Sequence, residues 1–221
     1  MTETAQQLIS RLKTALIIVD VQTGFADTTW WGIRNNPDAE ANITALLTHW
    51  QSTSQPVVFI RHDSTTPGSP LSPGQPGNDF QEILSGAPDL LVRKSVNSSF
   101  HGTPDLHAWL QDNAVEAIVV CGIITNHCCE TTARVGSNLG YQVLFPLDAT
   151  YTFDRSAPDG TVVPAEEIAS MTAVNLHREF ATIVTTADLL PLPHRTQHSP
   201  RRNFRCDVTG RESNRPLTGH M

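Results

Sequence analysis

The sequence predicts an α/β domain, a three-layer Rossmann-like parallel sheet with helices on both faces. Three observations carry this prediction. Short apolar runs rich in β-branched residues recur along the chain, and longer segments of helical period separate them. Strand, helix, strand steps of that kind make parallel pairs joined by right-handed crossovers. The length, 221 residues, suits one domain with a sizeable core.

The elements follow in order. Residues 15–21 form a strand run dense enough to be buried on both faces. Asn36, Pro37 and Asp38 read as an N-cap, a proline at the first helical position and a first-turn acid. Ile43, Leu46, Leu47 and Trp50 then recur at i, i+3, i+4 and i+7. Residues 56–60 are the second strand. Four prolines and three glycines between Asp63 and Asn78 require a long loop, of a length that is usually functional or disordered. A short third strand, 90–92, leads to Lys94. Thr103, Pro104 and Asp105 cap a helix that turns Leu106, Trp109 and Leu110 to the core. The fourth strand, 117–121, stops at Gly122, and the helix after it carries Cys128 at its N-terminal junction and ends near Gly140. Residues 142–145 are the fifth strand. Pro164 opens a helix with Ala165, Ile168, Ala169, Thr172, Leu176 and Phe180 on one face, and residues 182–184 are the last strand. No internal repeat or second domain is legible. The domain is expected over residues 1–190.

Composition narrows the function. The net charge is −7. Residues 191–221 hold six arginines against Asp207 and Glu212, a balance of +4, so the rest of the chain carries −11. An acidic body offers no basic stripe to nucleic acid. The basic tail, rich in Arg, Pro, Ser and Asn, reads as disordered. The start of the chain carries no signal-peptide core, and the apolar run 15–19 is far too short to span a bilayer. Cysteines at 121, 128, 129 and 206 have no C-x-x-C spacing. That favours reduced thiols in a cytoplasmic protein over disulfides or structural zinc. No G-x-G-x-x-G or P-loop stands at a strand-to-helix turn, which leaves a nucleotide-binding reading without support.

In such sheets ligands bind beyond the carboxyl ends of the strands, where strand order reverses. Asp20 follows the first strand, Lys94 the third and Cys128 the fourth, so three reactive groups fall on that edge. Singly, each has an ordinary explanation: a turn cap, a solvated charge, a packed thiol. Lys94 is one of only two lysines, with Lys13, in a chain that otherwise uses arginine, which hints at a need for a compact ammonium. A thiol at a helix N-terminus meets unpaired N–H groups and the positive end of the helix dipole, which favour thiolate.

These residues resemble the isochorismatase-like cysteine hydrolases, which include nicotinamidases, carbamoylsarcosine amidases and ureidoacrylate hydrolases. The resemblance runs from about residue 14 to 190. Its marks are Asp20-Val21-Gln22, the lysine after the third strand, and the run Gly-Ile-Ile-Thr-Asn-His-Cys from Gly122 to Cys128, continuing through Thr131, Thr132 and Ala133. It implies a catalytic set of Asp20, Lys94 and Cys128, a cis peptide between Ile123 and Ile124, and an oxyanion hole of the Ile124 and Cys128 amides. It further implies a hydrolase that cleaves an amide, ureido or lactam C–N bond of a small molecule through a thioester, with streptothricin-type lactam opening among the member activities. No cofactor is expected, and a homo-oligomer is.

Two departures matter. Nicotinamidases carry an Asp-x-His…His metal site after the second strand. Here Arg61-His62-Asp63-Ser64 enters the loop with no further histidine until His101. This argues against a bound metal and against nicotinamide as substrate. Isochorismatases proper lack the nucleophilic cysteine, so Cys128 favours C–N cleavage over ether hydrolysis. Ether hydrolysis and a non-catalytic small-molecule binder are the alternatives. Phe25, Trp30, Trp31, Tyr151 and Phe153 gather in loops at the same edge. Of these, Phe25, Trp31 and Tyr151, with Arg61, His62 and His101, are candidate pocket residues. The aromatics suit a subunit interface equally well.

Overall fold

The computed structural model describes residues 4–191. The basic tail and Cys206 lie outside them. In chain order the elements are α1 (Ala5–Arg11), β1 (Thr14–Val19), α2 (Thr28–Trp31), α3 (Ala39–Ser52), β2 (Val57–His62), β3 (Leu90–Lys94), α4 (Leu106–Asp112), β4 (Ala117–Ile123), α5 (Glu130–Asn138), β5 (Gln142–Pro146), β6 (Thr150–Tyr151), β7 (Arg155–Ser156), β8 (Val162–Val163), α6 (Ala165–Leu176), β9 (Thr182–Val184) and α7 (Thr186–Leu189).

Seven strands form one sheet in the order β3-β2-β1-β4-β5-β9, with β6 added beside the end of β4. Every pair in it is parallel. β1 and β4 are buried along their whole length, which is why both read as unbroken apolar runs. One face is covered by α3, with Ile43, Leu46, Leu47 and Trp50 packed on Leu16, Ile18 and Val119. The Trp50 indole N–H also donates to the Thr14 carbonyl at 3.1 Å. The other face is covered by α4, α5 and α6, through Leu106, Leu110, Ala133 and Leu176 against Ile17, Val58, Val92 and Ile118. The three predicted layers are therefore present. Among the described residues no helix is long and apolar enough to cross a membrane.

The structure corrects several boundaries. β1 stops at Val19, because Asp20 takes a left-handed backbone (φ 52°). β3 runs to Lys94, which is its last residue. Gly122 does not end β4 but lies inside it. Its φ is +121°, and a Cβ there would sit 2.1 Å from the Val19 carbonyl oxygen, so only glycine lets β4 lie against β1 at this point. The helix α1 and the short strands β6, β7 and β8 have too little periodicity to be read from the sequence. The long loop is held by Asn78, whose buried side-chain amide donates to the carbonyls of His62 (3.0 Å) and Leu71 (2.8 Å).

Candidate active site

Strand order reverses between β1 and β4, and the carboxyl ends of these strands face the same edge as those of β2 and β3. Asp20 comes from the end of β1. In regular alternation its side chain would continue the Leu16, Ile18 face of the strand. The left-handed turn breaks that alternation, at a residue type that tolerates it better than most. Lys94 stands on the inner face of β3 in register with His62 of β2. Cys128 lies in a wide helical turn, Thr125–Cys129, between β4 and α5.

The structure brings Asp20, Lys94 and Cys128 together. The Lys94 ammonium donates to Asp20 Oδ2 at 2.6 Å and to Cys128 Sγ at 3.3 Å. The Asp20 and Lys94 side chains are fully buried, and Cys128 is the most accessible of the three at 7 %. Asp20 Oδ1 is buried with no hydrogen-bond partner. A buried carboxylate oxygen left free in this way is costly unless a proton or a donor comes to it. The Ile123–Ile124 peptide is cis, as the resemblance implies.

Electrostatics here depart from the sequence expectation. Burial pushes the Cys128 thiol well above the ordinary cysteine value, the Asp20 carboxylate adds to that, and Lys94 only pulls part of it back. The resting sulfur therefore keeps its proton, and the favourable helix end is outweighed. For Lys94, burial opposes the charge, but Asp20 and Cys128 outweigh it and hold the ammonium protonated above the usual lysine range.

The remaining candidates divide. His62 joins the cluster, its Nδ1 3.2 Å from the Lys94 ammonium. Arg61 points the other way and pairs with Asp63 at 3.5 Å. His101 is exposed in a short turn and reaches none of the three groups. Phe25 (4 % exposed) and Tyr151 (1 %) turn inward and pack with Trp31 and Phe153, ring centroids 4.8–6.3 Å apart. They share a core with Ile123 and Ile124. Packed in this way they buttress the segment before Cys128, while Trp30 of the same aromatic set stays 44 % exposed. Cys129, the residue after Cys128, is wholly buried.

Three residues were missed. Asn97 is exposed and its Oδ1 accepts from Cys128 Sγ at 3.8 Å. Gln22, fully buried, clamps the end of β2: its Oε1 accepts from the His62 amide at 2.8 Å and its Nε2 donates to the His62 carbonyl at 3.1 Å. Thr132 accepts from the Ser99 amide at 3.1 Å, tying the segment after Lys94 to α5. Gln22 and Thr132 stand inside the quoted motifs, which was the available signal. Asn97 gave none.

Among the described residues, the one group with metal-binding chemistry is Asp20, His62 and Cys128, whose ligand atoms lie within 4.8 Å of one another. The Lys94 ammonium is within hydrogen-bond distance of all three, so an ion there would have to displace it.

Comparison with known proteins fits this geometry. The family model described as the isochorismatase domain matches residues 14–188. The uncharacterised isochorismatase family protein YrdC of Bacillus subtilis is 40% identical over 179 residues, covering 80% of this chain and 95% of that protein. Nicotinamidase 3 of Arabidopsis thaliana is 30% identical over 184 residues, covering 77% of this chain and 83% of that one. A crystal structure of a putative hydrolase of the isochorismatase family from Chromobacterium violaceum superposes with a TM-score of 0.79 at 35% identity, covering 86% of this chain and 96% of the other.

Proposed function

The chain belongs to the isochorismatase family of hydrolases, and within it we propose that this protein is a cysteine-dependent amidohydrolase that cleaves a C–N bond of a small molecule through a thioester. The observation that carries the reading is one ammonium held at 2.6 Å from a buried carboxylate and 3.3 Å from a sulfur, with the second carboxylate oxygen free. The similarity to a nicotinamidase supports amide chemistry as a class.

The reading assigns each group a step. Substrate enters past Asn97, and the free Oδ1 of Asp20 takes the Cys128 proton. The thiolate attacks the carbonyl carbon, and the oxyanion is stabilised by the backbone N–H groups of Ile124 and Cys128. Collapse breaks the C–N bond, Asp20 returns the proton to nitrogen, and amine or ammonia leaves. Water then attacks the thioester, losing a proton to Asp20, which passes it to the departing sulfur. Lys94 is the fixed cation that lowers the cost of the anionic states on both sides. The high resting proton affinity of the sulfur suits this order, since the proton moves only once the substrate carbonyl is in place. We also take the protein to act in the cytoplasm and to self-associate. Ile33, Val162 and Val174 leave large apolar side chains 60–74 % exposed, and sedimentation of the full chain tests the assembly.

The test is ammonia or amine release from a panel of small amides, ureides and lactams. Wild type should turn over at least one of them, with an acyl adduct on Cys128 detected by mass spectrometry after rapid quench. Cys128→Ala should lose roughly 10³-fold or more in rate and keep its thermal transition. Full activity in that variant sinks the mechanism.

A further inference from the structure

Sheet order makes Lys94 cross a neighbour. β3 lies two strands from β1, about 9–10 Å away, and β2 runs between them. Register sets His62, the last residue of β2, directly beside Lys94. To reach Asp20 the lysine must pass over the end of β2, and there the ammonium meets His62 Nδ1 at 3.2 Å. An ammonium has three N–H groups and no acceptor capacity. Those three go to Asp20 Oδ2, His62 Nδ1 and Cys128 Sγ. Because the lysine can only donate, Nδ1 is assigned as the acceptor, and the neutral ring carries its proton on Nε2.

The backbone of His62 is held as firmly as its ring. Its amide and carbonyl are both bound by the Gln22 side chain, and its carbonyl also by Asn78. The Asp20-Val21-Gln22 segment therefore acts at both ends: Asp20 takes the lysine directly, and Gln22 fixes the histidine that takes it from below.

Resting on the amidohydrolase reading, we propose that His62 is a positioning residue, a neutral imidazole that accepts the third N–H of Lys94 and aims the ammonium between Asp20 and Cys128. The same contact makes the site acid-sensitive. The charged and titratable groups facing the ring are Lys94 from β3, Asp20 from the end of β1, Cys128 after β4, and Asp63 next in the chain. Burial first, and then Lys94, hold the imidazole below its ordinary value, with Asp20 and Asp63 pulling back. When pH falls far enough, a proton on Nδ1 removes the acceptor and puts a second cation beside the ammonium.

Two substitutions and one spectrum test this in the full-length protein. His62→Ala should lower kcat about 10–100-fold with KM within about 3-fold, the scale of lost outer-shell partners. His62→Asn places a non-titrating Oδ1 where Nδ1 stands. It should restore kcat at neutral pH to within about 3-fold of wild type and abolish the acid-side fall that His62 imposes. Wild-type kcat and pH profile in His62→Ala would overturn the assignment, as would a His62→Asn variant no better than His62→Ala or one that keeps the wild-type acid limb. Two-bond ¹H–¹⁵N correlation of the imidazole rings needs no substrate. It should find the His62 proton on Nε2 in the wild-type protein. A proton on Nδ1 refutes the positioning role. A proton on Nε2 together with no turnover of any amide refutes the hydrolase reading and leaves the lysine contact standing.

Discussion

Along the β2–β3 ladder, the Arg61–Arg93 rung and the His62–Lys94 rung are neighbours in sequence and face opposite sides of the sheet. On the outer rung, Arg93 binds Asp63 at 2.8 Å and Arg61 reaches the same carboxylate at 3.5 Å, with the Arg93 side chain 51 % exposed. On the inner rung, Lys94 binds Asp20 with both side chains fully buried. Each carboxylate meets a cation, but the outer one is shared by two arginines and lies nearer solvent. Water and salt reach the outer group through Arg93, although Asp63 and Arg61 are only 18–20 % exposed, whereas the inner pair must satisfy its protons and lone pairs within the protein. That difference explains the residue choice. A solvated site accommodates wide guanidinium forks, but a closed pocket with three acceptors around one point fits a compact ammonium.

The largest break in this contrast is Lys94→Met. It leaves Asp20 buried without its cation, which should cost about 3–5 kcal/mol in chemical denaturation and abolish turnover. Combining it with Asp20→Asn should recover most of the stability and none of the activity. Equal stability of single and double variants would mean that the inner pair is not coupled. Lys94→Arg sharpens the point. The charge is kept but spread over a planar fork that cannot serve three converging acceptors, and turnover should fall about 10²–10³-fold, within the range of a lost electrostatic donor.

Acid should separate the two rungs next. His62 and His127 are both held below the ordinary imidazole value, each by burial first. The unfolded chain then binds more protons than the folded one, so stability falls as pH drops below about 6.5, the unfolded imidazole value. Thermal melts of His62→Asn should show a shallower fall over that window than wild type. The smallest effect belongs to the outer rung. Arg93→Ala should change stability by no more than about 1 kcal/mol, less at high salt, and leave turnover unchanged.

Much of this fold is legible in order and type. Strand runs at β1 and β4 stand out because double burial demands unbroken apolar residues, and α3 because one face must meet the sheet. Elements that bury little, such as α1 and the β7–β8 hairpin, carry no such pattern. The reactive set is legible for a related reason: Asp20, Lys94 and Cys128 each come at or just after the carboxyl end of a strand run. Nothing in the chain says that Lys94 must pass His62, because that follows from β2 lying between β3 and β1. Nor can local sequence report the proton on Cys128. A helix end is a local feature and favours thiolate, while burial beside Asp20 is a tertiary one and wins. An iodoacetamide assay at neutral pH would therefore find a slow thiol in a competent enzyme, and labelling should accelerate only as pH rises.

By itself, then, the sequence determined the layers, the edge on which chemistry gathers and the residue types available there. These are consequences of periodicity and of where apolar runs stop. Tertiary structure decided which atoms touch, which aromatics turn inward, and where the protons reside. Contact and desolvation depend on strand order and depth, and neither is written in neighbouring residues.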